Sequence, residues 1–104
     1  MIIQFNTDNN IHVDAKSEQH FSTLITSDLE RFQSHITRIE VHLSDENGRK
    51  TGLRDKKCLL EVRLEGRQAI VVSYQDDTVE LALSGALDQL NNFLEDILER
   101  DKQY

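Results

Sequence analysis

The stretch ITRIEVHLSDENGRKTGLRDKKCLLEVRLEGRQAIVVSY, residues 36–74, decides how this chain folds. Ile39, Val41 and Leu43 alternate with Arg38, Glu40, His42 and Ser44, the pattern of a strand with one buried and one wet face. Cys58, Leu60, Val62 and Leu64 alternate in the same way with Lys57, Leu59, Glu61, Arg63 and Glu65. Ala69 to Tyr74, rich in β-branched residues, returns as a third strand. Asp45 to Asp55 separates the first two and holds Asn47-Gly48 and Gly52, so it reads as a loop. Gly66-Arg67 suits the Gly-X form of a two-residue hairpin.

Working outward, Ile3 and Phe5 alternate with Gln4 and Asn6 as a short first strand. Asp14 is placed to cap a helix, with Glu18 in its first turn. Phe21, Leu24, Ile25, Leu29 and Phe32 form one apolar stripe on a helix of roughly residues 15–33. A last helix starts at Asp77 or Thr78 and runs to about Arg100, with Val79, Ala82, Leu83, Ala86, Leu90, Phe93, Leu94 and Ile97 on its apolar face. Gly85 lies inside it and costs up to ~1 kcal/mol against Ala. Close packing of helix on sheet or helix on helix is the reason to keep it. The order β-α-β-β-β-α predicts an α+β fold. It is a two-layer sandwich, with a four-stranded sheet, both helices on one face and the other face open.

A chain of 104 residues fits one domain, taken here as residues 1–104. It has no Pro, four Gly and a single Cys, so regular elements with short connections are expected and an internal disulfide is impossible. The amino-terminal MIIQFNTDNN lacks the basic and apolar regions of a signal peptide. No apolar run approaches the roughly 20 residues that span a bilayer. The expectation is a cytoplasmic protein with no membrane partner.

The net charge is −7, and its distribution is uneven. Residues 38–67 carry eight Lys/Arg against six Asp/Glu, residues 1–37 two against five, and residues 68–104 two against eight. Any contact with an anion such as RNA is therefore expected in the middle of the chain. The acidic total argues against nonspecific adhesion to nucleic acid or anionic membranes. His12, His20, His35 and His42 lack metal-ligand spacing, and Cys58 belongs on the buried face of its strand. Asp76-Asp77 precede a helix start, where capping accounts for them. No base, nucleophile and oxyanion-donor set is visible, so neither an enzyme, a small-molecule substrate, a cofactor nor a metal is expected.

With its elements in this order, the chain resembles the ribosome hibernation-promoting factor and ribosome-associated inhibitor family, also called the sigma-54 modulation protein family. The helix ending LERFQSHITRIEVHLSDENG, the hairpin KKCLLEVRLEGRQAIVVSY and the helix entry QDDTVELALSGALDQL carry the likeness, which extends over essentially the whole chain. The resemblance implies a fold like that of double-stranded-RNA-binding domains. It implies binding to the small ribosomal subunit, on rRNA near the decoding region, inhibiting translation and stabilising idle ribosomes under stress. Longer members add a dimerising carboxy-terminal domain, for which no segment is expected here. Typical members carry Lys and Arg along both helices and end in a basic tail. In this chain the first helix offers Ser22, Thr23, Thr26, Ser27 and Asp28, and the second Asp88, Gln89, Asn91, Asn92, Glu95 and Asp96. These side chains cannot neutralise phosphates, the dominant source of affinity for RNA.

The chain offers two candidate sites. Arg49, Lys50, Arg54, Lys56 and Lys57, with Arg38, Arg63 and Arg67, are the candidates for gripping rRNA phosphates. The competing assignment is a solvated loop, with Arg38 and Arg63 pairing across strands to Glu40 and Glu61. The second candidate is the open sheet face. A two-residue turn at Gly66-Arg67 pairs Glu65 with Gln68 and turns Leu64, Val62, Ala69 and Val71 toward the helices. Leu59, Ile70, Val72 and Tyr74 then face outward, near Ile2, as an apolar surface for a homodimer or another protein. A three-residue turn or bulge would reverse this register. A divergent acidic relative that has lost ribosome binding and acts through that face is the alternative function.

Overall fold

Register is the first thing the pairing of strands fixes. The computed structural model describes residues 1–46 and 55–99. Its four strands are β1 (Ile2–Thr7), β2 (Ile36–Asp45), β3 (Lys56–Leu64) and β4 (Ile70–Asp76), hydrogen-bonded in the order β1-β2-β3-β4. β1 runs parallel to β2, as its helical crossover requires, and the other pairs are antiparallel. The helices α1 (Ala15–Asp28) and α2 (Val79–Leu94) cover one face of the sheet. The α+β sandwich expected from the sequence is the architecture observed.

The β3–β4 turn corrects the hairpin expectation. Leu60 pairs with Val72 and Val62 with Ile70, which places three residues, Glu65 to Arg67, between Leu64 and Gln68. Arg67 N–H donates to Leu64 O at 3.3 Å, and Gly66 has φ +72°. A positive φ at the third residue of a four-residue turn is the type II requirement, which Gly meets without a steric penalty. The extra residue turns every side chain of β4 over. Ile70 and Val72 are buried, whereas Val71 is 55% exposed. The outward apolar surface of Leu59, Ile70, Val72 and Tyr74 therefore does not exist as expected. Leu59 alone of the four lies on the open face, and Tyr74 packs under α2.

A second irregularity lies in β2. Ile36 pairs with Leu64 but Arg38 with Arg63, so Thr37 is the additional residue of a β-bulge. Its Oγ1 donates to Arg63 O at 3.1 Å. The bulge lets Ile36 and Ile39 both point into the core, where strict alternation would expose one of them. The first helix is also shorter than its stripe suggests. Asp14 caps it, accepting from Ser17 N–H at 2.8 Å, and that bond holds its carboxyl below the ordinary range. After Asp28 the chain tightens into a 3₁₀ turn over Glu30–His35, with Phe32 N–H donating to Leu29 O. Residues three apart eclipse in a 3₁₀ turn, so buried Leu29 and Phe32 stay on one face.

The helices run in the same direction, joined at matching heights by His20–Glu80 (2.6 Å), Asp28–Asn91 (2.9 Å) and Arg31–Glu95 (2.5 Å). Thr78, rather than the preceding acid pair, caps α2 by accepting from Leu81 N–H. The α2 stripe differs from expectation at two places: Phe93 is half exposed, and Leu87 is buried. The chain continues past Leu94 through a π-helical turn, Glu95–Glu99, whose Leu98 is also buried.

Gly85 occupies the point where α2 lies closest to β4. A Cβ there would sit 2.1 Å from Tyr74 Cδ2 and 2.6 Å from its Cγ. A ring carbon beside the backbone cannot swing aside cheaply. Helix propensity alone favours Gly85→Ala by up to ~1 kcal/mol, but overpacking costs ~1–3 kcal/mol. Gly85→Ala is expected to lower the urea midpoint, and the same change in a Tyr74→Ala background to raise it. An equal effect in both backgrounds would remove the ring as the cause. Cys58 is fully buried, and burial pushes its thiol up to about 12. Its reaction with a disulfide reagent at pH 8 should be absent from the folded protein and appear with unfolding in urea.

Candidate nucleic-acid interface

The two faces of the sandwich carry opposite chemistry. On the helix side, the described residues of α1, α2 and the turns that follow them include the cations Lys16 and Arg31 and many more carboxylates. Arg31 is bonded to Glu95 and lies 4.5 Å above the Phe32 ring. A shallow groove along α1 is lined by Gln19, Ser22, Thr23, Thr26, Ser27, Glu30 and Gln33. Hydroxyls and amides can donate to a phosphate but cannot release its counterions, and the carboxylate repels it.

The open sheet face is built by register. Ile2, Arg38 and Arg63 form one row across β1, β2 and β3. Gln4, Glu40, Glu61 and Val71 form the next, then Asn6, His42, Leu59 and Ser73. Ser44, Lys57 and Gln75 form the last. Arg38, Lys57 and Arg63 thus stand against Glu40 and Glu61, which makes this the less acidic of the two faces. The expected Arg–Glu cross-strand pairs are not the observed ones. Arginine lies opposite arginine and glutamate opposite glutamate. Arg38 bonds diagonally to Gln4 Oε1 on β1 and reaches Glu40 along its own strand at 3.9 Å. Glu40 is held below the ordinary carboxylate range first by a side-chain hydrogen bond with Glu61, then by Arg38, His42 and Arg63, against the opposing effect of burial.

Lys56 and Lys57 are engaged at the base of the long loop. Lys56 Nζ lies 2.8 Å from the buried Asp55 and 3.3 Å from Asp45, while Lys57 lies 3.7 Å from Glu46. Glu46 N–H donates to Asp55 O at 2.8 Å, and Asp8 accepts from Asp45 N–H, so the loop base is closed by backbone and side chains together. Arg67 lies exposed in the β3–β4 turn, and Arg63 is exposed on the open face. Arg49, Lys50 and Arg54 lie outside the described residues. One grouping was not visible from spacing alone. Glu40, His42 and Glu61 bring three ligand-type atoms within 4.8 Å of one another. Glu-Val-His on one strand is a visible signal, but Glu61 joins only through the β2–β3 register.

The residues matched by a known family run from 4 to 102, and the family is described as sigma 54 modulation protein / S30EA ribosomal protein. The chain belongs to this family. Its fold is similar to the crystal structure of the Thermus thermophilus Protein Y N-terminal domain, with a TM-score of 0.72 and 19% identity over 91% of this chain and 97% of that one. It is also similar to a ribosomal subunit interface protein from Coxiella burnetii, with a TM-score of 0.70 and 17% identity over 92% of this chain and 96% of that one. No curated protein sequence matches the chain significantly. Among the described residues no helix is long and apolar enough to cross a membrane.

The loop-base lysine gives a test with a defined sign. Its hydrogen bond with Asp55 raises the Lys56 pKa above 10.5, with Asp45 adding to the effect and burial opposing it. A raised lysine contributes stability that is complete below the unfolded value and is lost as pH rises through the folded one. Lys56→Met should therefore lower the urea midpoint at pH 7, because it removes the ammonium from beside Asp55 and Asp45. The difference from the parent should shrink above pH ~10.5. A difference independent of pH would exclude the ion pairs as its source.

Proposed function

We propose that this protein is a non-catalytic ribosome-associated factor of the cytoplasm. It binds the small ribosomal subunit near the decoding region, occludes tRNA and mRNA, and so inhibits translation and stabilises idle ribosomes under stress. The family match over residues 4–102 carries this reading. The charge partition supports a particular way of meeting rRNA. The helix layer is acidic, so the contact runs through the open sheet face and the long loop. Arg38, Arg63 and Arg67, with Arg49, Lys50 and Arg54 of the loop, supply the phosphate contacts. Lys56 and Lys57 hold the loop base and contribute at its rim.

Contact with few cations predicts weak, salt-sensitive binding. Purified 30S subunits mixed with the protein should carry it into the pellet at low salt and release most of it at moderate salt. Arg49→Glu/Lys50→Glu and Arg38→Glu/Arg63→Glu variants should each weaken binding, with the salt slope falling by about one for each phosphate no longer neutralised. No co-pelleting at low salt would refute ribosome binding. It would favour the alternative of a protein-interaction module, whose open-face apolar surface is reduced to Ile2, Leu59 and Val71.

A further inference from the structure

We infer that Glu40, His42 and Glu61 form a binding site for a divalent transition-metal ion at the centre of the open sheet face. Register and donor chemistry point to it, independently of ribosome binding. Glu40 and His42 are two apart on β2 and so project from the same face. Glu61 lies directly opposite Glu40 on β3, and one ligand atom from each of the three falls within 4.8 Å of the others. All three side chains are half-buried, and β2 and β3 are the two inner strands of the sheet. The donors therefore stand on strands hydrogen-bonded along both edges, with their ligand atoms close enough together to converge on one ion.

The energetics favour a cation at this point. Like charges directly opposite on neighbouring strands are destabilising. A divalent ion between Glu40 and Glu61, which face each other across β2 and β3, turns that repulsion into two attractive contacts. The imidazole nitrogen selects within the divalent class: nitrogen with carboxylate oxygens suits Zn²⁺, Ni²⁺ or Co²⁺ better than Mg²⁺ or Ca²⁺, which prefer all-oxygen shells. Three protein donors leave the remaining positions on the solvent side, open to water or to an oxygen of a bound partner. Arg38, 3.9 Å from Glu40, opposes the ion and limits its affinity. It also supplies an independent handle, because removing it must strengthen a metal site while removing a ligand must weaken it.

The experiment uses the untagged full chain, titrated with Zn²⁺ by calorimetry and with Co²⁺ by visible absorption. Saturable binding of a single equivalent is expected. His42→Ala or Glu61→Gln should lower the affinity more than about tenfold, the loss that even outer-shell changes bring at metal sites. Arg38→Gln should raise it. Far-ultraviolet circular dichroism confirms that each variant is folded, and Val71→Ala provides a folded control on the same face. The exposed His20–Glu80 pair, 2.6 Å apart in the helix layer, is the competing surface site. Binding abolished in His20→Ala and retained in His42→Ala would overturn the proposal. So would the absence of saturable Zn²⁺ binding in the millimolar range, or an affinity unchanged in both ligand variants.

Discussion

The pairing of β2 with β3 is the constraint on which the rest of the molecule depends. Ile39 against Val62 and Val41 against Leu60 are fully buried pairs beneath the helices. A slip of one residue would carry Arg38, Glu40 and His42 into that core and put the isoleucine and valine in water. Burying a charged group without a partner costs far more than any surface pairing can return. The apolar side therefore dictates the register, and the polar side has no say in it. The result is a row of facing arginines beside a row of facing glutamates, an arrangement no surface optimisation would choose. The chemistry of the open face is thus inherited from the packing of the other one.

Much of this was legible in the sequence, above all in residues 36–74. Alternation located β2, β3 and β4, Asp14 marked the start of α1, and Gly85 pointed to close packing. The misreadings share a physical cause: each concerned a single residue added to or removed from a regular pattern. Gly-X after Leu64 is compatible with turns of two or three residues, and only the burial of Ile70 and Val72 selects between them. Thr37 carries no composition signal for a bulge. Phe32 satisfies both a helical and a 3₁₀ spacing from Leu29. Leu87 and Phe93 lie at opposite margins of the α2 stripe, and buried Leu87 is on the margin that meets α1, beside Asn91 and its bond to Asp28.

The candidate interface was less legible than the fold, because function depends on which charges meet. The surplus of Lys and Arg in residues 38–67 is real as a count, but Lys56 and Lys57 are engaged with Asp45, Asp55 and Glu46. Sequence distance hides such pairs, since Asp45 and Lys56 meet only when the loop between them closes. The same closure explains why a buried aspartate is tolerated at position 55. Membership of a ribosome-linked family and an acidic helix layer are compatible if recognition uses the opposite side of the sandwich. That is a property of this chain's charge pattern and not of its fold.

The contact of Tyr74 with Gly85 has a consequence beyond stability. The two residues belong to different elements and lie eleven apart in sequence, yet each limits what the other can be. Among relatives that keep this helix height, a side chain at position 85 requires a smaller residue at 74, and an aromatic ring at 74 requires glycine at 85. The pair should change together or not at all. A lineage that crossed from one state to the other would pass through a helix lifted off β4, and the gap would be felt at Val72, the next core residue on that strand.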